Sequence, residues 1–141
     1  MRHVQESALN QPPDDGADPQ RALARLRDVA GLDVPTGLRL VAQREGLYLR
    51  LLQRFVEEHA DAPAKIAAAQ GRGDAESAER IAHTLKGVAA QIGAQALQES
   101  AASLEAALRN GAPPPQQQAL REQTALLLEP LVRDLRARLP G

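Results

Sequence analysis

The stretch RIAHTLKGVAAQIGA, residues 80–94, carries Ile81, Leu85, Val88 and Ile92 at steps of four, three and four. At about 100° per residue, Leu85, Val88 and Ile92 fall within about 40° of Ile81, an apolar seam along one side of a helix. The rhythm recurs in Leu97, Ala101, Leu104 and Leu108, and again in Leu120, Leu127, Leu131 and Leu135. An earlier segment places Tyr48, Leu51, Leu52, Phe55, Val56 and His59 on one face. Such helices must bury their seams against one another, and short connections make sequential helices antiparallel neighbours. The expectation is an all-α, antiparallel up-down four-helix bundle with an additional N-terminal helical segment. Abundant Ala, Leu, Arg, Gln and Glu support it, as does the scarcity of β-branched and aromatic residues. No repeat at a solenoid period is present.

The chain signals its own boundaries. Residues 1–18 are polar, contain Pro-Pro and Asp-Asp-Gly, and keep no hydrophobic period, so they read as a disordered tail or linker. Residues 19–141 then form the bundle domain. Asp18 can cap a helix with Pro19 at its first position, Leu23, Leu26 and Val29 on one side, and a stop at Gly31. LDVPTGLRLVAQ gives a turn with Pro35 and a short helix. A longer helix begins near Glu45, and Pro63 kinks or restarts it before GRGD ends the segment. Asp74 caps the helix that holds the opening stretch, Glu76 and Glu79 suit its positive end, and Gly93 stops it. Asn110-Gly111 ends the next helix, APPPQQQ is a linker or a helix start, and the last helix runs from about Gln116 to Arg138 with a bend at Pro130.

Charge and composition remove several function classes. Lys plus Arg number 17 and Asp plus Glu 18, a net charge of −1, without the basic excess of a general nucleic-acid or membrane-surface binder. One Phe, one Tyr and no Trp leave no platform for base stacking. Without cysteine there is no disulfide, thiolate nucleophile or zinc-thiolate site. No apolar run approaches the roughly 18–20 residues of a membrane span, and the N-terminus has no signal-peptide stretch. The chain reads as soluble and cytoplasmic.

His83 breaks the pattern. On the wheel that puts Ile81 at zero, His83 lies at about 200°, Lys86 at about 140°, Gly87 at about 240°, Ala90 at about 180° and Ala94 at about 220°. An imidazole on the far side from the seam is thus surrounded by Gly87, Ala90 and Ala94 instead of long side chains. An exposed mid-helix glycine costs roughly 1 kcal/mol against alanine, and close approach by a partner would account for it. Neutral imidazole is a competent nucleophile near pH 7. Lys86, a turn away, can neutralise an incoming phosphoryl group. With the turn at Gly93–Ala94, His83 and Glu105 come level on adjacent antiparallel helices. A carboxylate there either accepts from the ring N–H and fixes the tautomer or is a structural surface acid. His59, on the apolar stripe of its helix, reads as a core-edge residue and His3 as an inert tail residue. No spacing sets two histidines on one helix face, so no metal site is expected.

AHTLKGVAAQIGA followed by LQESAASLEAAL resembles the histidine-containing phosphotransfer (HPt) domain of multistep phosphorelays. The family pattern is matched in place by His83, Leu85, Lys86, Gly87, Ile92, Gly93, Leu104 and Glu105. The resemblance covers about residues 32–138 and includes Phe55 in the first long helix. One departure is VAQREGLYL, where the family often has a Gly-Gly turn. The resemblance implies a four-helix bundle phosphorylated on a ring nitrogen of His83, with Lys86 and Glu105 assisting. It implies docking through Glu79, Thr84, Gly87, Ala90 and Ala94. Partners would be receiver domains of response regulators or of a hybrid sensor histidine kinase, with magnesium expected in the partner receiver and no cofactor of this chain's own. The chain would act as a monomer.

Other classes fit less well. No Gly-rich nucleotide loop is present, and the bundle leaves no room for an ATP domain, so ATP-dependent autokinase activity is not expected. Thr84 follows His83 where dimerising sensor-kinase helices commonly carry an acid. No strand-helix alternation of a receiver appears, nor any Ser/His/acid arrangement of a hydrolase. The remaining alternative is a non-catalytic helical module that uses the same bare patch for docking.

Overall fold

A computed structural model describes residues 18–140, and within them the chain is helical with no strand. Among the described residues seven helices follow in order: α1 (Pro19–Ala24), α2 (Val34–Leu40), α3 (Glu45–His59), α4 (Ala62–Gly71), α5 (Ala75–Ile92), α6 (Gln95–Arg109) and α7 (Pro114–Arg138). The tail expected at residues 1–18 lies outside the described residues apart from Asp18. Asp18 accepts from the Gln20 N–H at 3.3 Å with Pro19 in the first turn. Asp74 accepts from the Ser77 N–H at 3.1 Å, and Asp33 likewise accepts from Thr36 at 3.2 Å. Each cap satisfies an N–H that the helix itself leaves unpaired.

α1 stops well before Gly31. Beyond Ala24 the chain continues as tight turns, with Leu26 N–H to Leu23 O at 2.9 Å and Val29 N–H to Leu26 O at 3.1 Å. Leu23, Leu26, Val29 and Leu32 recur every third residue, the period of a 3₁₀ turn, so tightening keeps all four buried. Pro63 sits in the first turn of α4 and restarts the helix instead of kinking α3. α7 runs unbroken through Pro130. The carbonyl that loses a donor there belongs to Leu126, which is 73% exposed, so water can take the donor's place. The start of α7 at Pro114 settles APPPQQQ as a helix start.

α4 and α6 flank α5, and α7 packs on α6. The buried residues of α5 are Ala78, Ala82, Leu85, Ala89 and Ile92, while Ile81 and Val88 are half-buried. The buried face is therefore rotated by about 60° from Ile81 toward Ala82. Ala78 and Ala82 join Ile66, Ala69, Leu104 and Leu108 in a cluster of their own, where small side chains let α4 and α6 approach α5 closely. The larger cluster includes Tyr48, Leu52, Phe55, Leu85, Ile92, Leu97, Leu128, Leu131 and Leu135. Between α6 and α7, Ser100 and Thr124 share a buried hydroxyl pair at 2.7 Å, and Thr124 also donates to the Leu120 carbonyl.

The C-terminal end of α5 is held from outside. The buried Tyr48 hydroxyl donates to the Ile92 carbonyl at 2.7 Å, and Asp33 N–H donates to Gly93 O at 2.8 Å. Gly37 lies against Tyr48 and the Ile92 carbonyl so closely that a Cβ would collide with both. Gly93 adopts φ 84° at the α5 C-cap, pressed on the Asp33 backbone. In the loop before α3, Ala42 and Gln43 take φ 55° and 63°, so the left-handed turn forms there without glycine. Among the described residues no helix is long and apolar enough to cross a membrane.

Candidate functional site

His83 lies near the middle of α5 with 64% of its side chain exposed. Across the groove, α6 presents Glu105, whose side chain is only 4% exposed. The two meet at 2.8 Å, His83 Nδ1 to Glu105 Oε2. Lys86 Nζ lies 2.7 Å from Oε1 of the same carboxylate, and Arg109 donates an Nη2 proton to Oε2 at 2.7 Å. Arg109 also donates through Nε to Glu79 Oε2 at 3.0 Å.

A buried carboxylate is costly unless paired and hydrogen-bonded, and Glu105 has three donors. Burial pushes its carboxyl up, but the bonds from Lys86 and His83 outweigh burial and hold it below the ordinary glutamate range. Glu105 is thus ionised at neutral pH and can only accept. The proton between it and the ring belongs to Nδ1, which leaves the lone pair of the neutral imidazole on Nε2. Glu79 and then Glu105 hold the Arg109 guanidinium firmly charged.

The structure brings together His83, Lys86 and Glu105, as the antiparallel register about Gly93–Ala94 anticipates. Glu105 is buried instead of lying at the surface, and it accepts from the ring. Lys86 falls half-buried because of the rotation of α5, and its ammonium is directed at Glu105. Thr84 and Gly87 are exposed and Ala90 is half-buried. A Cβ built at Gly87 would meet nothing within 4 Å beyond its own turn of helix, so packing among the described residues does not require the glycine. Glu79 is partly exposed and engaged with Arg109.

Ala94 is a correction. The wheel puts it on the open face, but it is fully buried. α5 ends at Ile92 and Gly93 turns left-handed, so helical angles no longer apply two residues on. Ala94 instead leads into α6, its N–H bonded to the Ala89 carbonyl at 2.9 Å. Arg109 is the residue that sequence reasoning missed. Its signal was the i, i+4 spacing from Glu105 on the same helix. His59 is mostly buried, its ring centroid 6.1 Å from that of Phe55, and burial lowers its pKa. His3 lies outside the described residues.

The family model of the Hpt domain matches residues 50–138. Neither curated proteins nor solved structures gave a match to the chain. The matched span starts within α3, runs to the end of α7, and contains His83, Lys86, Glu105 and Arg109. With an exposed histidine bonded to a buried acid at the centre of that span, the chain belongs to the Hpt domain family.

Proposed function

We propose that His83 accepts a phosphoryl group from the aspartyl phosphate of one receiver domain and passes it to the aspartate of another. The observation that carries this reading is the exposed imidazole whose Nδ1–H is committed to buried Glu105. The Nε2 lone pair attacks phosphorus. The bond from phosphorus to the aspartyl oxygen breaks, and its electron pair returns to the receiver's carboxylate. The ring then carries N–P at Nε2 and N–H at Nδ1, a cation beside the Glu105 carboxylate. In the return step the second receiver's carboxylate attacks phosphorus, and the ring leaves neutral with its Nδ1 proton still in place. Glu105 thus keeps one proton on Nδ1 throughout by accepting from it, and no proton is exchanged with water. Magnesium, expected in the partner receiver, would neutralise the phosphoryl oxygens during transfer.

Lys86 adds positive charge beside the ring. Thr84, Gly87 and Ala90 leave space for the receiver's acidic pocket to reach it. In this reading α3, α5, α6 and α7 are the four members of an up-down bundle. The protein works as a cytoplasmic, monomeric phosphocarrier without autokinase activity, serving response regulators or a hybrid sensor kinase.

The test is to mix the protein with a phosphorylated receiver and follow acid-labile phosphate. Phosphate should appear on His83, and His83→Gln should abolish it with helicity unchanged. Receiver binding with no transfer by the wild-type protein would leave the face as a docking surface alone.

A further inference from the structure

Two rungs cross the α5–α6 groove in one register. His83 meets Glu105, and one turn away Glu79 meets Arg109. Along each helix the partners are four apart, and the contacts run in a chain from His83 through Glu105 and Arg109 to Glu79. Arg109 joins the rungs, its Nε on Glu79 and its Nη2 on the oxygen of Glu105 that also accepts from His83. Its guanidinium is therefore one carboxylate oxygen away from the imidazole. The arginine side chain is 56% exposed, and no bond from its Nη1 is seen among the described residues.

Charge then decides what each member does. At rest, the carboxylates of Glu79 and Glu105 balance Lys86 and Arg109. A phosphoryl group on Nε2 adds about two negative charges, offset in part by the ring cation. A nearby guanidinium with spare donors is the geometric match for phosphoryl oxygens. Arg109 has such donors, but Glu79 holds Nε and draws the group toward the N-terminal end of α5. The other cation of α5, Arg80, is turned toward the α4 side. Arg80 lines a cavity there with Lys65 and Arg72 of the α4 side, and its guanidinium bonds Ser77.

Resting on the phosphotransfer reading above, we propose that Glu79 is a positioning residue. It restrains Arg109 on Glu105 and so keeps the guanidinium from clamping the phosphoryl group, which keeps phosphohistidine ready to discharge. Arg109 is the group through which it acts.

The test measures the equilibrium between a phosphorylated receiver and phospho-His83, together with the lifetime of phosphohistidine, in four proteins. These are wild type, Glu79→Gln, Arg109→Gln and the double variant, each checked for unchanged helicity. Glu79→Gln should raise the phosphohistidine share and lifetime about two- to five-fold, the range of a partly exposed charge pair. Arg109→Gln should leave both near the wild-type level, because the guanidinium is already held off the phosphoryl group. In the Arg109→Gln background, adding Glu79→Gln should change nothing, because the restrained group is gone. A Glu79→Gln effect of equal size in both backgrounds, as a bare through-space charge would give, overturns the proposal, as does no effect in the wild-type background. Failure of the wild-type protein to take up any phosphoryl group overturns the phosphotransfer reading itself, and this proposal with it.

Discussion

His83 and Glu105 lie 22 positions apart in sequence, yet their side chains meet at 2.8 Å because the α5–α6 turn falls midway between them. Glu79 and Arg109, 30 positions apart, meet about the same midpoint. The ring is therefore oriented by the helix hairpin itself.

That arrangement predicts a graded response at position 105. Glu105→Gln keeps an acceptor for Nδ1–H but removes the charge that balances the phosphorylated ring. The loss should slow transfer on the order of ten-fold, the difference between a neutral and a charge-assisted hydrogen bond. Glu105→Ala, which also frees the ring to rotate, should slow it further and destabilise the fold by about 1–3 kcal/mol. Rapid-mixing transfer assays and urea denaturation check the two parts.

Gly87 separates docking from folding. A Cβ placed there has open space around it. Gly87→Ala should therefore stabilise the protein by about 1 kcal/mol. Gly87→Arg should keep most of that gain and still block transfer by obstructing the receiver. Thermal unfolding measured alongside transfer separates these effects, and full transfer by Gly87→Arg would remove the platform from the mechanism.

Acid should weaken the fold in two stages. His59 titrates below the ordinary histidine value of 6.5 when folded, because of burial. The unfolded chain takes up that proton first, so the contribution is present above pH 6.5 and is lost as pH falls through the lowered folded value. Glu105 repeats the pattern lower down. Its folded carboxyl titrates below 4.5, so its contribution is present above that value and is lost only as pH falls through the folded pKa. Urea midpoints measured across pH should show both declines. His59→Gln should remove the upper one and Glu105→Gln the lower.

The brace at the end of α5 carries a stability prediction. Tyr48→Phe leaves the buried Ile92 carbonyl without its 2.7 Å donor and should cost about 1–3 kcal/mol. Gly37→Ala forces a methyl group into Tyr48 and should also destabilise. In both variants the fraction still folded should transfer normally, since these contacts are made at the end of α5 rather than at His83.

Much of this site is legible in the chain alone. Asp18 and Asp74 announce their helices by capping chemistry, and Gly93 marks the turn from which the His83–Glu105 register follows. What is not legible has one main source. Alanine is at home inside and outside, so Ala78, Ala82 and Ala89 give no sign that α5 turns them inward. The leucine-isoleucine seam alone points about 60° away. That rotation is also why Lys86 is half-buried on Glu105. Arg109 looks like an ordinary helix-end cation because its partner Glu79 lies on another helix. Ala94 is misplaced because a helical wheel has no meaning beyond the left-handed residue.

The hydroxyl pair of Ser100 and Thr124 bears on how such a site could be adjusted. Sliding α6 along α7 by one helical turn, about 5.4 Å, would take the buried Ser100 hydroxyl away from its Thr124 partner. Axial travel of α6 against α7 is thereby made unfavourable, which holds the helix of Glu105 in its register on that side. An adjustment of the site that leaves this pair intact works through rotation of the surface side chains around His83.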